Sequence, residues 1–393
     1  MKTKLKMISY GKQTIDEDDL LAVSDSLKSD WLTQGPRIEI FENDLKGYFG
    51  SKYCKVVSNG TAALHLSALA LGWKKGDLIL TSPLSFVATA NCALYVGADV
   101  DFVDISLDTF QIDLVSLELK LKNLRSNGSS IKALIAVDYA GNPSEWTELR
   151  RLADEYGFKL INDNCHAMGA KYLNSEKYAI EYADIVTQSY HPVKNITTAE
   201  GGAVLTNDAS IDNKIDDLRT HGITKDTSRM EVRDEPWYYE MQNLGYNYRI
   251  TEMQCALGSS QLRKLDSFIQ KRNQIAQYYD QHILDSDLIE RLKVNDNSLC
   301  AYHLYPLLID FKALRIDRKY FFGELKKKGI NLQVHYIPIH LQPYYAKFLN
   351  FKKGDFPNAE NFYSQEVSLP IYPSLKDSEL EYIVKELNGV LAG

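Results

Sequence analysis

Two residues of this chain combine a reactive side chain with a setting that suits amine chemistry. Lys194 lies in the stretch 189–202, SYHPVKNITTAEGG, which follows an apolar β-like run and precedes a Gly-Gly turn and another strand. Among Tyr, Val, Ile and Pro an amine loses hydration, which lowers its pKa and leaves a nucleophile that forms a Schiff base with a carbonyl. Asp163 ends an earlier apolar strand, LIND. Such a pair meets the needs of pyridoxal 5'-phosphate (PLP): an anchor for the aldehyde and a partner for the ring nitrogen.

Each residue also has an ordinary structural interpretation. A lysine near glycines is usually solvated on the surface, and an aspartate after a strand often caps the next helix. A third feature, the segment 58–63 (SNGTAA) between a strand and a helix, makes the ordinary interpretations weaker. Gly60 permits close approach of a ligand to the backbone, and free N–H groups at a helix start favour phosphate. Neither GxGxxG nor GxxxxGK[ST] occurs, so no dinucleotide fingerprint or P-loop competes.

The composition indicates a globular protein of two domains. The chain has 393 residues, which is more than one ordinary core accommodates. Of these residues 45% are hydrophobic and 25% are charged, as is typical of globular proteins. We predict a large cofactor-binding domain over 1–265, including an N-terminal segment, and a small C-terminal domain over 266–393, joined by a long helix within 251–282. The net charge of −7 argues against nucleic acid as a partner.

Cysteine usage and hydropathy predict a cytoplasmic protein without a membrane segment. The five cysteines are scattered and form no CxxC, which is typical of a reducing compartment and not of a zinc site. No apolar stretch follows the basic start, so we predict no signal peptide. Residues 78–98 lack charge, but their Thr, Ser, Pro and Asn indicate a buried strand, turn and helix.

Apolar runs alternate with helical patterns through the first two-thirds of the chain. This alternation predicts an α/β fold with a mostly parallel sheet flanked by helices, followed by a smaller α/β unit. The predicted strands are 53–57, 77–80, 100–105, 133–138, 159–162, 185–188 and 203–206, then 304–309 and 332–335. The predicted helices are 61–71, 86–95, 114–124, 143–156, 251–282, 318–328 and 378–391.

Several motifs in order resemble the DegT/DnrJ/StrS family of PLP-dependent nucleotide-sugar aminotransferases, over nearly the whole chain. They are LTQG at 32–35, SNGTAAL at 58–64, SPLSFVATAN at 82–91, VDYAG at 137–141, DNCHAMG at 163–169, the lysine segment, RTHG at 219–222, GYNYR at 245–249 and VHYIP at 334–338. The resemblance implies the fold-type-I architecture of aspartate aminotransferase and a PLP cofactor that cycles through pyridoxamine phosphate.

The resemblance also implies roles for individual residues. Lys194 matches the Schiff-base lysine, Asp163 the carboxylate on the ring nitrogen, and His166 the residue beside the phenolic oxygen. The remaining implied cofactor contacts are the ring-stacking Phe86 and the phosphate ligands Gly60, Thr61, Ala62 and Ser189. Asn247 matches a phosphate contact supplied by the neighbouring subunit, which implies a homodimer with shared active sites.

Within the family, SFVATAN, VDYAG and HPVKNITTAEGGAV are most similar to the enzymes of pseudaminic acid biosynthesis. Those enzymes aminate C4 of UDP-4-keto-6-deoxy-N-acetyl-altrosamine with L-glutamate as donor. Candidate substrate contacts are Arg219, His221 and Arg249, and a second-domain cluster of His335, Tyr336 and His340. No third ligand accompanies His335 and His340, so we predict no metal.

Three alternatives stay open at this point. The substrate can be another UDP- or dTDP-linked keto-sugar, aminated at C3 or C4. A related sugar 3-dehydratase would carry histidine in place of the anchoring lysine, so Lys194 argues against that activity. A sugar-sensing regulator without turnover is the third alternative, but the sequence shows neither a helix-turn-helix extension nor a basic patch.

Overall fold

The computed structural model describes residues 7–232 and 235–392. The main sheet is built from β1 (Tyr53–Val57), β2 (Leu78–Thr81), β3 (Asp99–Phe102), β4 (Ala133–Val137), β5 (Lys159–Asp163), β6 (Ile185–Ser189) and β7 (Gly202–Thr206). Their spatial order is β1-β7-β6-β5-β4-β2-β3. Strands β3, β2, β4, β5 and β6 are parallel, whereas β7 is antiparallel to both of its neighbours. The predicted α/β fold with a mostly parallel sheet is confirmed.

Helices cover both faces of this sheet. The helices of this part of the chain are α1 (Glu17–Lys28), α2 (Pro36–Phe49), α3 (Gly60–Ala70), α4 (Ala88–Tyr95), α5 (Leu114–Ser126), α6 (Trp146–Tyr156), α7 (Tyr178–Tyr182), α8 (Ala209–Arg219), α9 (Glu252–Leu262) and α10 (Leu265–His282). Between α8 and α9 the short strands β8 (Ile223–Thr224) and β9 (Glu240–Met241) pair with each other. One hydrophobic core lies under α2, α6 and α7, and another under α3 and α4. Strands buried on both faces explain the near-continuous apolar runs in the sequence.

The C-terminal part forms a smaller antiparallel sheet with its own core. Its strands are β10 (Ile289–Arg291), β11 (Tyr305–Ile309) and β12 (Glu366–Leu369), and its helices are α11 (Arg318–Lys327), α12 (Pro343–Phe348), α13 (Pro357–Gln365) and α14 (Asp377–Leu391). The N-terminal segment crosses to this part. The amide of Ile8 donates to the Gly329 carbonyl at 2.8 Å, and the amide of Ile371 donates to the Tyr10 carbonyl at 3.0 Å.

Two predicted elements differ from the structure. The stretch 251–282 is not one long helix, because α9 ends at Leu262 and α10 starts at Leu265. At the break the amide of Lys264 bonds the Gln261 carbonyl, three residues back, and its ammonium contacts Asp16 and Asp19 at 2.6 and 2.7 Å. The stretch 332–335 is not a strand and contributes only an isolated bridge between Gln333 and Ser368. The domain boundary at 265/266 stays a prediction.

Candidate active site

The loops after two neighbouring parallel strands bring Lys194 and Asp163 to one edge of the sheet. Asp163 is the last residue of β5 and lies in register with Thr187 of β6. Lys194 follows β6 in a turn, in which its amide donates to the His191 carbonyl at 2.9 Å. The side chain of Asn195 donates to the Met168 carbonyl at 2.7 Å, which ties this loop to the loop after β5. The carboxyl ends of parallel strands are where α/β sheets bind ligands.

A cavity of about 650 Å³ opens at this edge. Its volume is in the range of small-molecule and cofactor sites. The cavity is lined by ten of the residues predicted from the sequence, namely Gly60, Thr61, Ala62, Phe86, Asp163, His166, Ser189, Lys194, His335 and Tyr336. These residues come from both parts of the chain, so the cavity lies between the large sheet and the C-terminal part.

The carboxylate of Asp163 is buried and held by a hydroxyl. The Thr89 hydroxyl donates to Asp163 Oδ2 at 2.7 Å, and Ser85 and Thr89 are 2.7 Å apart through their hydroxyl oxygens. Because the Thr89 proton points to Asp163, Ser85 is the donor of that second bond. Ser85 lies just before α4 and Thr89 within it, four residues apart. This hydroxyl pair fixes the carboxylate, and among the described residues Oδ1 has one hydrogen-bond contact, with the Cys165 amide at 3.4 Å.

The amine of Lys194 is in an environment that favours its neutral form. Burial lowers the pKa of the Lys194 ammonium, while nearby Cys165 and Asp163 act in the opposite direction. Desolvation disfavours the charged form of an amine and a nearby carboxylate favours it. Since burial is the largest contribution, the free amine that attacks a carbonyl becomes more accessible at neutral pH.

The turn before α3 packs Gly60 closely against Ser189 and presents helix N-terminal amides. A methyl group added at Gly60 would lie 2.8 Å from Ser189 Cβ and 3.2 Å from its hydroxyl. The Asn59 side chain accepts from the Ala62 amide at 2.8 Å, so that amide, predicted as a phosphate ligand, is already partnered. The amides of Gly60 and Thr61 belong to the first helical turn, whose N–H groups lack partners within the helix. With the Thr61 and Ser189 hydroxyls they suit a phosphate group.

The opposite wall of the cavity consists of histidine and tyrosine rings. His166 Nδ1 accepts from the Ala140 amide at 3.3 Å, so Nε2 carries the proton and donates to the Tyr336 hydroxyl at 3.1 Å. Burial, and then the charge of Lys194, hold the pKa of His166 well below its usual range. His166 is therefore neutral, and the Tyr336 hydroxyl keeps its own proton for a ligand in the cavity.

Four predicted contacts lie elsewhere in the chain. Arg219 lies in another cleft, which Arg249 also lines, and its guanidinium binds Glu42 at 2.6 Å and Asp216 at 2.7 Å. His221 is exposed, and His340 is buried against Glu360 at 3.0 Å. None of these four residues lines the cavity in one chain, and their substrate roles stay a prediction.

Asn247 is also outside the cavity of its own chain. The rings of Tyr246 and Tyr248 stack at 5.0 Å and pack edge-on against His65, whereas Asn247, between them, is exposed. A backbone bridge to Thr220 fixes its position. Asn247 therefore faces outward, where a second copy of the chain would have to lie for it to contact a cofactor.

Sequence reasoning did not single out several residues of the site. Thr89 and Ser85 lie inside the SPLSFVATAN motif, and their spacing of four residues was the available signal. Tyr10, Tyr248 and His303 also line the cavity. His303 packs its ring 4.4 Å from that of His166, and its buried Nδ1 has no hydrogen-bond partner among the residues that the structure describes. Tyr248 lies inside the GYNYR motif, whereas nothing local in the sequence indicated that Tyr10 and His303 reach the cavity.

The donor set of the cavity suits PLP and not a metal ion. A lysine whose pKa is lowered by burial, a buried carboxylate and the Gly60 turn with its helix N-terminal amides line one space. Within residues 7–232 and 235–392 no group of three or more His, Cys, Asp or Glu side chains is arranged to hold a metal. The same residues include no helix long and apolar enough to cross a membrane.

Comparison with known proteins identifies sugar aminotransferases as relatives of this chain. A transaminase of Campylobacter jejuni that is named for UDP-4-amino-4,6-dideoxy-N-acetyl-beta-L-altrosamine is 39% identical over 385 residues, 98% of each chain. The structure of Helicobacter pylori PseC, an aminotransferase of pseudaminic acid biosynthesis, superposes with a TM-score of 0.90 at 34% identity, over 98% of this chain and 100% of that one. A putative sugar aminotransferase of Streptococcus pneumoniae in its pyridoxamine phosphate form superposes with a TM-score of 0.87 at 27% identity, over 98% and 99%.

The match to the family itself covers most of the sequence. The profile of the DegT/DnrJ/EryC1/StrS aminotransferases matches residues 13–388. The predicted cofactor and its cycling with pyridoxamine phosphate are confirmed by these neighbours, as is the fold. The chain belongs to the DegT/DnrJ/EryC1/StrS aminotransferase family and is a PLP-dependent nucleotide-sugar aminotransferase.

Proposed function

We propose that this enzyme transfers the amino group of L-glutamate to C4 of UDP-4-keto-6-deoxy-N-acetyl-altrosamine and thereby serves pseudaminic acid biosynthesis. The observation that carries the proposal is the shared cavity of Lys194 and Asp163 in a chain that matches the Campylobacter transaminase along 98% of its length. The superposition on PseC supports the same sugar. The choice of C4 and of UDP rests on these relatives.

Each residue of the cavity has its own role in the proposed reaction. When bound, PLP supplies an aldehyde and an electron-withdrawing ring. Lys194 anchors that aldehyde and, once displaced, moves a proton at the reacting carbon as general acid and base. Asp163, fixed by Thr89, keeps the ring nitrogen protonated, which stabilises negative charge where it develops. Phe86 covers the ring, and the Gly60 turn with Ser189 holds the phosphate.

We also propose that the active enzyme is a homodimer and that Asn247 completes the phosphate site of the second copy. Its exposed position supports this proposal, as do large exposed apolar side chains nearby in the sequence. Trp237, Met241 and Leu244 expose 75%, 64% and 80% of their surface. Exposed apolar surface of this extent is typical of an interaction site.

A cytoplasmic location is proposed on the state of the cysteines. All five are free, and four of them are buried. Proteins of a reducing compartment keep their thiols in this state. Cell fractionation with an antibody against the chain would test the location directly.

A panel of nucleotide keto-sugars tests the substrate. The PLP-loaded enzyme and L-glutamate are incubated with UDP- and dTDP-linked 3-keto and 4-keto sugars, and amino-sugar formation is followed by mass spectrometry. We expect the UDP-linked 4-keto-altrosamine to give the highest kcat/KM. Amination of another panel member at a higher kcat/KM would contradict the assignment of the sugar. A higher kcat/KM with another amino donor than with L-glutamate would contradict the assignment of the donor.

Lys194→Ala tests the chemistry. Borohydride treatment of the loaded wild type should fix the cofactor covalently on Lys194, and Lys194→Ala should neither be labelled nor transaminate. Lys171→Ala is the matched control, because Lys171 does not line the cavity and its ammonium pairs with Glu176 at 3.7 Å. Full activity in Lys194→Ala would exclude the scheme.

A further inference from the structure

A buried carboxylate lies two hydrogen bonds away from the active-site cavity. Glu366, the first residue of β12, has no exposed surface. Its Oε1 lies 2.5 Å from the Ser368 hydroxyl, and its Oε2 accepts from the His335 amide at 2.9 Å. The Ser368 hydroxyl in turn lies 2.8 Å from His335 Nδ1. Glu366, Ser368 and His335 thus form a continuous chain of hydrogen bonds, which we call the Glu366 relay.

The relay ends on a ring that lines the cavity. His335 contacts the rings of Tyr10 and Tyr336 at centroid distances of 5.1 and 5.0 Å. Its Nε2 makes no hydrogen bond to the part of the chain that the structure describes. Glu366 also fixes the backbone here, since it accepts from the His335 amide while the Tyr139 hydroxyl donates to the His335 carbonyl. The position and the orientation of the ring are therefore both determined from behind the cavity wall.

The position, orientation and charge of the His335 ring are fixed, so its tautomer is the property that can change. Burial, and then the charge of Lys194, lower the pKa of His335 to about 3. The ring is therefore neutral wherever the enzyme works, and one nitrogen donates while the other accepts. Nδ1 faces Ser368, so the direction of the bonds in the relay decides whether Nε2 is a donor or an acceptor towards the cavity.

The proton on Glu366 decides that direction. A protonated Glu366 donates to Ser368, the serine hydroxyl then donates to His335 Nδ1, and Nε2–H points into the cavity as a donor. An ionised Glu366 accepts from Ser368, so His335 Nδ1–H must donate to the serine and Nε2 becomes an acceptor. Both arrangements satisfy every group, and they differ by one proton on the carboxyl.

We propose that Glu366 and Ser368 are positioning residues that hold His335 with its Nε2–H towards the cavity, where it donates to an oxygen atom of the bound nucleotide-sugar. The identity of the ligand in this proposal rests on the proposed function. The tautomer of the His335 ring does not depend on it. It adds a specificity-determining donor to the cavity wall that Tyr336 and His166 already form.

The surroundings of Glu366 favour its protonated form at neutral pH. Burial raises the pKa of Glu366 to about 8, against the lowering effects of Ser368, the His335 amide and Arg318. The Arg318 guanidinium donates to the Glu366 and Tyr363 carbonyls and not to the carboxyl group. Among the described residues, the Tyr139 and Tyr336 hydroxyls also interact with Glu366, and they stay neutral because burial raises their pKa. The donor tautomer of His335 should therefore prevail below about pH 8 and be replaced above it.

Nitrogen-15 NMR of histidine-labelled, cofactor-free protein tests the relay without any turnover. His335 is assigned from the signals lost in His335→Gln. We expect the wild type to show Nε2–H at pH 6.5 and Nδ1–H at pH 9.5. Glu366→Gln should show Nε2–H at both values, because its carbonyl oxygen accepts from the His335 amide and its NH2 group is left to donate to Ser368. Ser368→Ala should lose the coupling of the His335 tautomer to pH.

Glu360→Gln is the matched control. Glu360 also contacts a histidine, His340 at 3.0 Å, but outside the cavity, so the change should shift the signals of His340 and leave those of His335 unaltered. A wild-type His335 tautomer that is the same at both pH values and in all variants would overturn the proposal. The wild-type titration does not depend on Glu366→Gln, so misfolding of that variant cannot obscure a wild-type tautomer that is the same at both pH values.

Steady-state kinetics then link the relay to the ligand. The KM for the nucleotide-sugar should rise about three- to tenfold in Ser368→Ala, the loss expected for one hydrogen bond, while the glutamate half-reaction keeps its rate. An unchanged KM, or an equal loss in both half-reactions, would overturn the assigned role. A normal tautomer pattern with no nucleotide-sugar turned over at all would contradict the proposed function instead.

Discussion

At the scale of single residues, Gly60 shows how a missing side chain makes a site. The turn between β1 and α3 brings Gly60 against Ser189 at the end of β6, and a Cβ there would lie 2.8 Å from Ser189 Cβ. Real Cβ atoms do not approach another carbon so closely, so the backbone or the serine would have to move. Both groups are proposed phosphate ligands, and a shift of either one changes the cradle.

Gly60→Ala should therefore weaken PLP binding while the protein stays folded. We expect the dissociation constant for PLP to rise at least about tenfold, the effect of roughly 1.4 kcal/mol of lost binding. Fluorescence titration of the cofactor-free protein measures it. Gly47→Ala is the control, because nothing lies within 4 Å of a Cβ at that helical position. Equal affinities in the two variants would show that the turn does not hold the phosphate.

At the scale of elements, what could be predicted from the sequence is what depends on neighbours along the chain. The turn before α3, the strand that ends at Asp163 and the loop of Lys194 are local patterns, and parallel strands bring their ends together. The pairing of Thr89 with Asp163 and of Glu366 with His335 joins residues far apart in the chain, so no period or motif indicates it. The break between α9 and α10 has the same origin, since Lys264 contacts Asp16 and Asp19 from the N-terminal segment.

The carboxyl end of β4 shows how one side chain joins several elements. Asp138 is fully buried and accepts five hydrogen bonds through its two oxygens. The donors are the Ser144 amide, the Trp146 indole, the side chains of Asn162 and Asn164, and the Tyr178 hydroxyl. They belong to β5, α6, α7 and the adjacent loops, so this carboxylate fixes the loop after β5 that carries His166.

Asp138→Asn should destabilise the fold strongly. The new amide would direct its own N–H groups at donors, leaving buried polar groups unpaired, and we expect a loss of about 3 kcal/mol or more in the free energy of unfolding. Urea unfolding followed by circular dichroism measures the loss. Asp154→Asn serves as control, since Asp154 forms an exposed ion pair with Arg150 at 2.7 Å and should cost at most about 0.5 kcal/mol. A similar small loss for both variants would contradict the role of Asp138.

At the scale of the whole molecule, one chain contains most of an active site but not all of the predicted one. Lys194, Asp163, Gly60 and Ser189 share a cavity, whereas Asn247 faces outward. In a twofold symmetric dimer each chain gives and receives the same contact, so an exposed residue of one copy completes the site of the other. The site would then exist only in the assembly.

Mixed dimers test this arrangement. Lys194→Ala and Asn247→Ala are each expected to have little or no activity at limiting PLP as homodimers. After unfolding and refolding together, half of the dimers should be mixed, and each mixed dimer should contain one intact site that combines Lys194 of one copy with Asn247 of the other. Activity should therefore return to about a quarter of the wild-type value. The return should follow the fraction of mixed dimers as the mixing ratio changes.

A second mixture supplies the control, because Gly60 and Lys194 belong to one cavity of one chain. Dimers that combine Lys194→Ala with Gly60→Ala have a defect in each cavity, and we expect no recovery beyond that of Gly60→Ala alone. Recovery in the Asn247 mixture together with none in the Gly60 mixture can arise only if Asn247 acts in the cavity of the other copy. Equal recovery of activity in the two mixtures would mean that Asn247 acts in its own chain. The proposal that the homodimer is the catalytic unit would then be contradicted.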